Sequence, residues 1–134
     1  MTAILARCAA DPTSLWYFDL HFLPDGPSQM WLNELGARFR SRVLGLPFGD
    51  QGLALPRDIF FRLGGFRADL RYGEDHLLVW SARRAGVHVR PVRRIISTSA
   101  RRYQQRGWLR TTLVHFWLTW RQALPEVTAW LRQR

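Results

Sequence analysis

Lysine is missing from this 134-residue chain; all 20 basic residues are arginine, against 10 acids, giving a formal charge of +10. Guanidinium differs from ammonium because its planar fork suits phosphate and carboxylate groups. The surplus is consistent with nucleic acid, an anionic membrane surface or a phosphorylated substrate, and it does not choose among them. Cysteine occurs once, at Cys8, which excludes an internal disulfide and a cysteine-based zinc site. Long apolar runs are absent too. The longest uncharged stretch near the C-terminus, TTLVHFWLTW at 111–120, is too short to span a bilayer, which takes about 20 residues. The N-terminus, MTAILARCAADP, has a short apolar stretch with Arg7 after it rather than before it, unlike a signal peptide.

What is present is enough apolar bulk for a core: 47% of residues are hydrophobic, which argues against disorder. Alternating apolar residues predict a strand within 15–27, ended by a turn at Pro24–Pro27. A helix is predicted over 28–45, with Ser28 as N-cap and Trp31, Leu32, Leu35, Phe39 and Val43 on one apolar face; Trp31 is read as core. A loop at 46–52 leads to a short strand, LALP. A short helix at 57–66 is closed by Gly64 and Gly65, and a second helix runs from Glu74 to Ala85 with Gly86 as its stop. Two strands follow, VHVRPV and RIISTSA, then a basic turn at 101–107. The chain ends in two helices, 108–124 and 125–134, with Pro125 opening the second. The mixture reads as α/β or α+β.

The sole adjacent acid pair, Glu74–Asp75, stands at the start of the 74–85 helix. Asp75, Leu78, Ala82 and Ala85 share a face at three-and-four spacing, so the carboxylate is expected on the apolar side. The helix N-terminus favours its charge and desolvation opposes it. A carboxylate poised in that way suits a general base, although an acid in a first helical turn is equally at home as a capping feature. Asp50 has a similar plain reading as a turn former. Arg93, Arg94, Arg101, Arg102 and Arg106 read as a phosphate site or as a solvated rim. His21, His76, His88 and His115 lack metal-ligand spacing; His76, beside the acid pair, is the one singled out. Trp108, Trp117, Trp120 and Trp130 lie among arginines, a composition shared by interfacial helices and by packed terminal helices.

Several motifs in order carry a resemblance: Gly49-Asp50-Gln51-Gly52, Gly64-Gly65-Phe66, Glu74-Asp75, Arg83-Arg84-Ala85-Gly86, then STSARRY at 97–103 and LRTTL at 109–113. Together they resemble family 2 glycosyltransferases, most closely a bacterial subgroup, across nearly the whole chain. The resemblance implies the C-terminal, acceptor-side part of a GT-A-type nucleotide-diphospho-sugar transferase fold, α/β, with C-terminal amphipathic helices. Residues 1–107 would form the acceptor-side part and 108–134 a helical segment. It further implies Asp75 as the base for an acceptor hydroxyl, with Glu74 positioning the acceptor or the loop. Asp50 and Gln51 would line the acceptor or sugar side, and Arg101 and Arg102 would face the donor diphosphate. Leu77 stands where relatives carry a third acid. No Asp-x-Asp motif follows an apolar strand, and the family's nucleotide-binding half has no counterpart here. A divalent metal, Mg or Mn, is therefore expected only in an enzyme completed by that half, and none bound by this chain alone. The expected partners are a nucleotide-sugar donor and a hydroxyl acceptor, together with self-association through uncovered strand edges and helix faces. The expected location is cytoplasmic, with the inner membrane face as the site of any peripheral contact. A non-catalytic remnant or binding module contacting phosphates or a membrane is the rival reading. Nucleic acid is not expected, because no helix-turn-helix, zinc finger or aromatic RNA platform is present.

Overall fold

The structure is a computed structural model that describes residues 2–69 and 71–132. The chain is mixed α/β. It runs α1 (Thr2–Ala10), β1 (Ser14–Phe22), α2 (Met30–Arg42), a 3-10 turn (Gly49–Gln51), α3 (Arg57–Arg62), α4 (Glu74–Arg84), β2 (His88–Thr98), α5 (Arg101–Arg106) and α6 (Trp108–Arg132). β1 and β2 pair in parallel, from Ser14↔His88 to Phe22↔Thr98. Parallel pairing needs a crossover that covers a sheet face, and α2 through α4 provide it. β1 is accordingly buried on both faces. Trp16 and Phe18 pack with Ile4 and Cys8 of α1, while Leu15 packs with Val79, Trp80 and Ala82 of α4. Toward its end, Leu20 and Phe22 join Met30, Ala37 and Ala100.

The expected apolar face of α2 does not enter the core. Trp31 is 60% and Val43 66% exposed, and Leu32, Leu35 and Phe39 are also exposed. The helix buries Met30, Ala37 and Ser41 instead. Small residues let it approach β1 closely: the Tyr17 hydroxyl donates to the Ser41 carbonyl at 3.1 Å, and Arg42 forks onto Asp19 at 3.2 and 2.6 Å. Polar contacts thus select the narrow face. Ser28 is not the N-cap; Gln29 holds that position without a side-chain hydrogen bond.

Four further elements differ from their sequence reading. The LALP segment contributes one antiparallel bridge, Ala54 to Trp16, rather than a strand. The two strands after α4 are a single β2, because both halves pair with β1. The break expected between them is an irregularity opposite Phe18, where Arg93 takes a left-handed φ of 59°, a conformation costing about 1–2 kcal/mol for a residue with a Cβ. Pro91 interrupts the N–H pattern there, which a strand edge tolerates. The basic turn at 101–107 is helix α5. Its start is anchored by Asp25, which accepts from Ser99 Oγ at 2.6 Å and Ala100 N at 2.7 Å, and Tyr103 packs edge-on against Phe22. These hydrogen bonds hold the Asp25 carboxyl below its ordinary range. A helix missed in the sequence, α1, covers the outer face of β1.

The two C-terminal helices are one, α6, with Pro125 inside it. Residues 133 and 134 of the second expected helix lie outside the described residues. An interior proline removes a hydrogen bond and crowds the preceding turn, at about 3 kcal/mol. Continuity holds because contacts fall on both sides of it. Ala123, Val127 and Trp130 pack on the Leu15–Val79–Trp80 cluster, and Glu126 pairs with Arg84 of α4. Pro125→Ala should therefore raise stability by about 1–3 kcal/mol with unchanged helical circular dichroism. A lower thermal midpoint would mean that the proline terminates a helix rather than interrupting one.

Candidate active site

The loop after α2 and the start of α4 are separated in sequence but meet in space. Gly73, with φ 81°, turns the chain into α4 in a conformation that suits glycine. It places Asp75 against the 3-10 turn, where the Gly49 N–H donates to Asp75 Oδ2. A Cβ at Gly49 would lie 2.7 Å from that oxygen, so the approach requires glycine. Asp75 Oδ1 takes no hydrogen bond from the described residues.

Both Asp75 and Asp50 line a cleft of about 1180 Å³ between α2 and α6. Arg40, Tyr103 and His115 line it as well. The surrounding walls push the Asp50 carboxyl above its ordinary range. Asp75 adds to that rise, while Arg40 and His115 oppose it. Although Asp50 is reached by solvent, the cleft limits the water around it, and that limitation raises its pKa. Burial lowers the Arg40 pKa against the pull of Asp50 and Asp75. Its guanidinium lies 3.5 Å from the Phe48 ring centroid and donates to Leu46 O at 2.9 Å. The Tyr103 hydroxyl lies 3.2 Å from His115 Nδ1. Burial raises the Tyr103 phenol pKa and lowers the His115 imidazole pKa. Chemically, the floor offers one carboxylate with a free oxygen, a second inclined to hold a proton, and neutral hydrogen-bonding groups. Such a set can hold and deprotonate a hydroxyl.

Other residues of the expected site sit elsewhere. Glu74 is half-buried next to Asp75 and does not line the cleft. Gln51 is fully buried; its Nε2 donates to Phe18 O at 3.1 Å, and its Oε1 accepts from Arg40 at 3.2 Å and Phe48 N at 3.3 Å. It shapes the loop and has no free group for a ligand. Arg101 points away, toward Ser99 and Asp25, with its side chain largely exposed. Arg102 is exposed and outside the cleft. Arg84 ties α4 to α6 through Glu126, while Arg83, which does line the cleft, donates to Leu44 O in the loop after α2. Sequence reading missed Arg40, Tyr103 and His115 as cleft residues. Only Tyr103 carried a signal, as the aromatic that closes the STSARRY motif. Among the described residues no three His, Cys, Asp or Glu side chains converge.

His76 is a packing residue. It is buried, its ring meets Phe48 edge-on at 5.0 Å, and its Nε2 accepts from Trp80 Nε1 at 2.9 Å. That bond requires an unprotonated Nε2. Burial takes its pKa from 6.5 down to about 4, with Arg40 acting in the same direction and Asp75 opposing. Between those values the unfolded chain binds a proton that the folded chain refuses. The contribution is therefore complete above pH 6.5 and is lost as pH falls toward 4, on the order of 3 kcal/mol. Urea unfolding across that window should show a smaller loss for His76→Gln than for the parent. Parallel curves would remove His76 as the titrating group.

Neither a protein-family model, nor a curated protein, nor a solved structure was found to match this chain.

Proposed function

We propose that this chain is the acceptor-side part of a GT-A-type, family 2-like glycosyltransferase, which moves a sugar from a nucleotide diphosphate donor to an acceptor hydroxyl. The observation that carries this reading is the meeting of two separated motifs at one cleft. The Gly49-Asp50-Gln51-Gly52 turn and the Glu74-Asp75 helix start are joined by the Gly49 N–H to Asp75 contact, with both aspartates lining the cavity.

In this mechanism Asp75 Oδ1 takes the proton of the acceptor hydroxyl as the oxygen forms its bond to the anomeric carbon. The bond from that carbon to the nucleotide diphosphate breaks, and the electron pair leaves with the diphosphate. The Gly49 N–H holds the carboxylate in place. Asp50 accepts a hydrogen bond from the acceptor or donates one when protonated. Arg40, fixed on Leu46 O and Gln51, moderates the repulsion between the two carboxylates. A metal belongs to the donor side in this reading, and no step here runs through it. The donor diphosphate would have to be held by groups other than Arg101, which is turned toward Asp25.

A general base contributes about 100- to 10,000-fold. In the enzyme with its nucleotide-binding half, Asp75→Asn should lower kcat by about that factor while the thermal midpoint and donor affinity stay near parental values. Asp50→Asn should act mainly on acceptor KM. Near-parental turnover by Asp75→Asn would reduce the acid pair to a helix-start feature.

A second reading, contact with an anionic membrane, is favoured by the outer face of α6. Leu109, Leu113, Trp117 and Leu131 are exposed there, with Arg121 at 5.2 Å from the Trp117 ring. No helix among the described residues is long and apolar enough to cross a membrane, so such contact would be interfacial. Sedimentation with phosphatidylglycerol vesicles should recover the chain, and Trp117→Ala with Leu113→Ala should weaken recovery about tenfold. Equal binding to neutral phosphatidylcholine vesicles would argue against an electrostatic component.

A further inference from the structure

The walls of the α2–α6 cleft differ in character from its floor. Leu32 and Phe39 of α2, with Val43 at its C-cap, line one wall, and Phe116, Trp120 and Val127 of α6 line the other. Asp50, Asp75, Tyr103 and His115 form the polar end. Its volume of about 1180 Å³ exceeds the usual drug-sized range of about 300–1,000 Å³. A sugar acceptor would leave most of these walls in contact with water.

A second observation concerns Gly36, in the middle of α2. Glycine inside a helix costs about 0.5–1 kcal/mol relative to alanine. At this position a Cβ would meet nothing within 4 Å, so packing in the chain does not demand glycine. Gly36 lines the cleft. The missing side chain keeps space open for something other than the protein.

We infer that the cleft binds a long-chain lipid alcohol, with its hydrocarbon body between α2 and α6 and its hydroxyl at Asp75 and Asp50. Its role as the acceptor rests on the transferase reading above; its binding does not. Charge decides the head group. Two carboxylates face Arg40, which is already engaged by Leu46 O and Gln51, and the second arginine of the lining, Arg83, is engaged by Leu44 O. A neutral hydroxyl can donate to that floor, whereas an anionic head would be repelled. Each methylene buried between the helices should tighten binding about fourfold until the cleft is full.

Four of the seven tryptophans, Trp80, Trp108, Trp120 and Trp130, line the cleft, so a brominated chain inside it will quench the protein's own fluorescence. Dibrominated stearyl alcohol should quench saturably, and dibrominated stearic acid at pH 8 should bind at least about tenfold more weakly. Gly36→Phe fills the cleft from an open position and should abolish quenching, with circular dichroism and thermal midpoint retained. Val43→Glu, at an exposed site, makes the same test if Gly36→Phe fails to fold. Equal affinity for acid and alcohol overturns the inference, as does unaltered quenching in a folded variant. It also fails if sedimentation shows a second copy of the chain occupying the cleft and excluding the alcohol. Transfer to a water-soluble sugar without alcohol binding would sink this inference alone. Alcohol binding by a complete enzyme that transfers nothing would sink only the transferase reading.

Discussion

The geometry of the cleft depends on one buried amide. Gln51 has no accessible surface, and its side chain ties β1 through Phe18 O, α2 through Arg40 and the loop through Phe48 N. An unmet donor or acceptor at that depth would be costly, so the three segments are held in one arrangement. That arrangement sets the position of Gly49, and Gly49 in turn fixes Asp75. A polar network of this kind rigidifies its surroundings only when every member is satisfied, and each polar atom of the Gln51 amide has a partner.

Arg40 links this network to the cleft. Its guanidinium stacks on Phe48, bonds Leu46 O and Gln51, and stands near both Asp50 and Asp75. Without a cation there, two carboxylates beside apolar walls would repel each other. The arginine lets both acids stay in the cleft, while desolvation still raises the Asp50 pKa. His76 contributes from below as a neutral ring, wedged between Phe48 and Trp80. The acid at position 75 and the histidine at position 76, adjacent in sequence, both line the cleft but differ in burial, Asp75 half-buried and His76 buried.

The helices that wall the cleft are also fastened at their far ends. Asn33 of α2 donates to Thr112 at 3.1 Å and accepts from Trp108 at 2.7 Å, both on α6. Arg84 of α4 pairs with Glu126, and Gln122 donates to Tyr72 O at 3.0 Å. α2 and α6 therefore touch through polar pins and leave an apolar gap between them. The gap follows from side-chain placement: Ala37 and Ser41 draw α2 onto the sheet, which turns Phe39 and Val43 away from it.

Sequence alone determined where several elements begin and end. The strand at β1, the helices at α3 and α4 and the acid pair at a helix start were legible because glycine, proline and periodic apolar residues punctuate the chain locally. The tertiary structure decided which surfaces face each other. Periodicity marked an apolar face on α2 but could not tell a core from a cleft, since both present the same spacing. Pro125 read as a boundary because the contacts that carry α6 through it, Ala123 and Glu126 among them, come from residues about 40 positions or more away. Arg40 joined Asp50 and Asp75 for the same reason: long-range packing, rather than any local pattern, brought an α2 cation to two carboxylates on later segments.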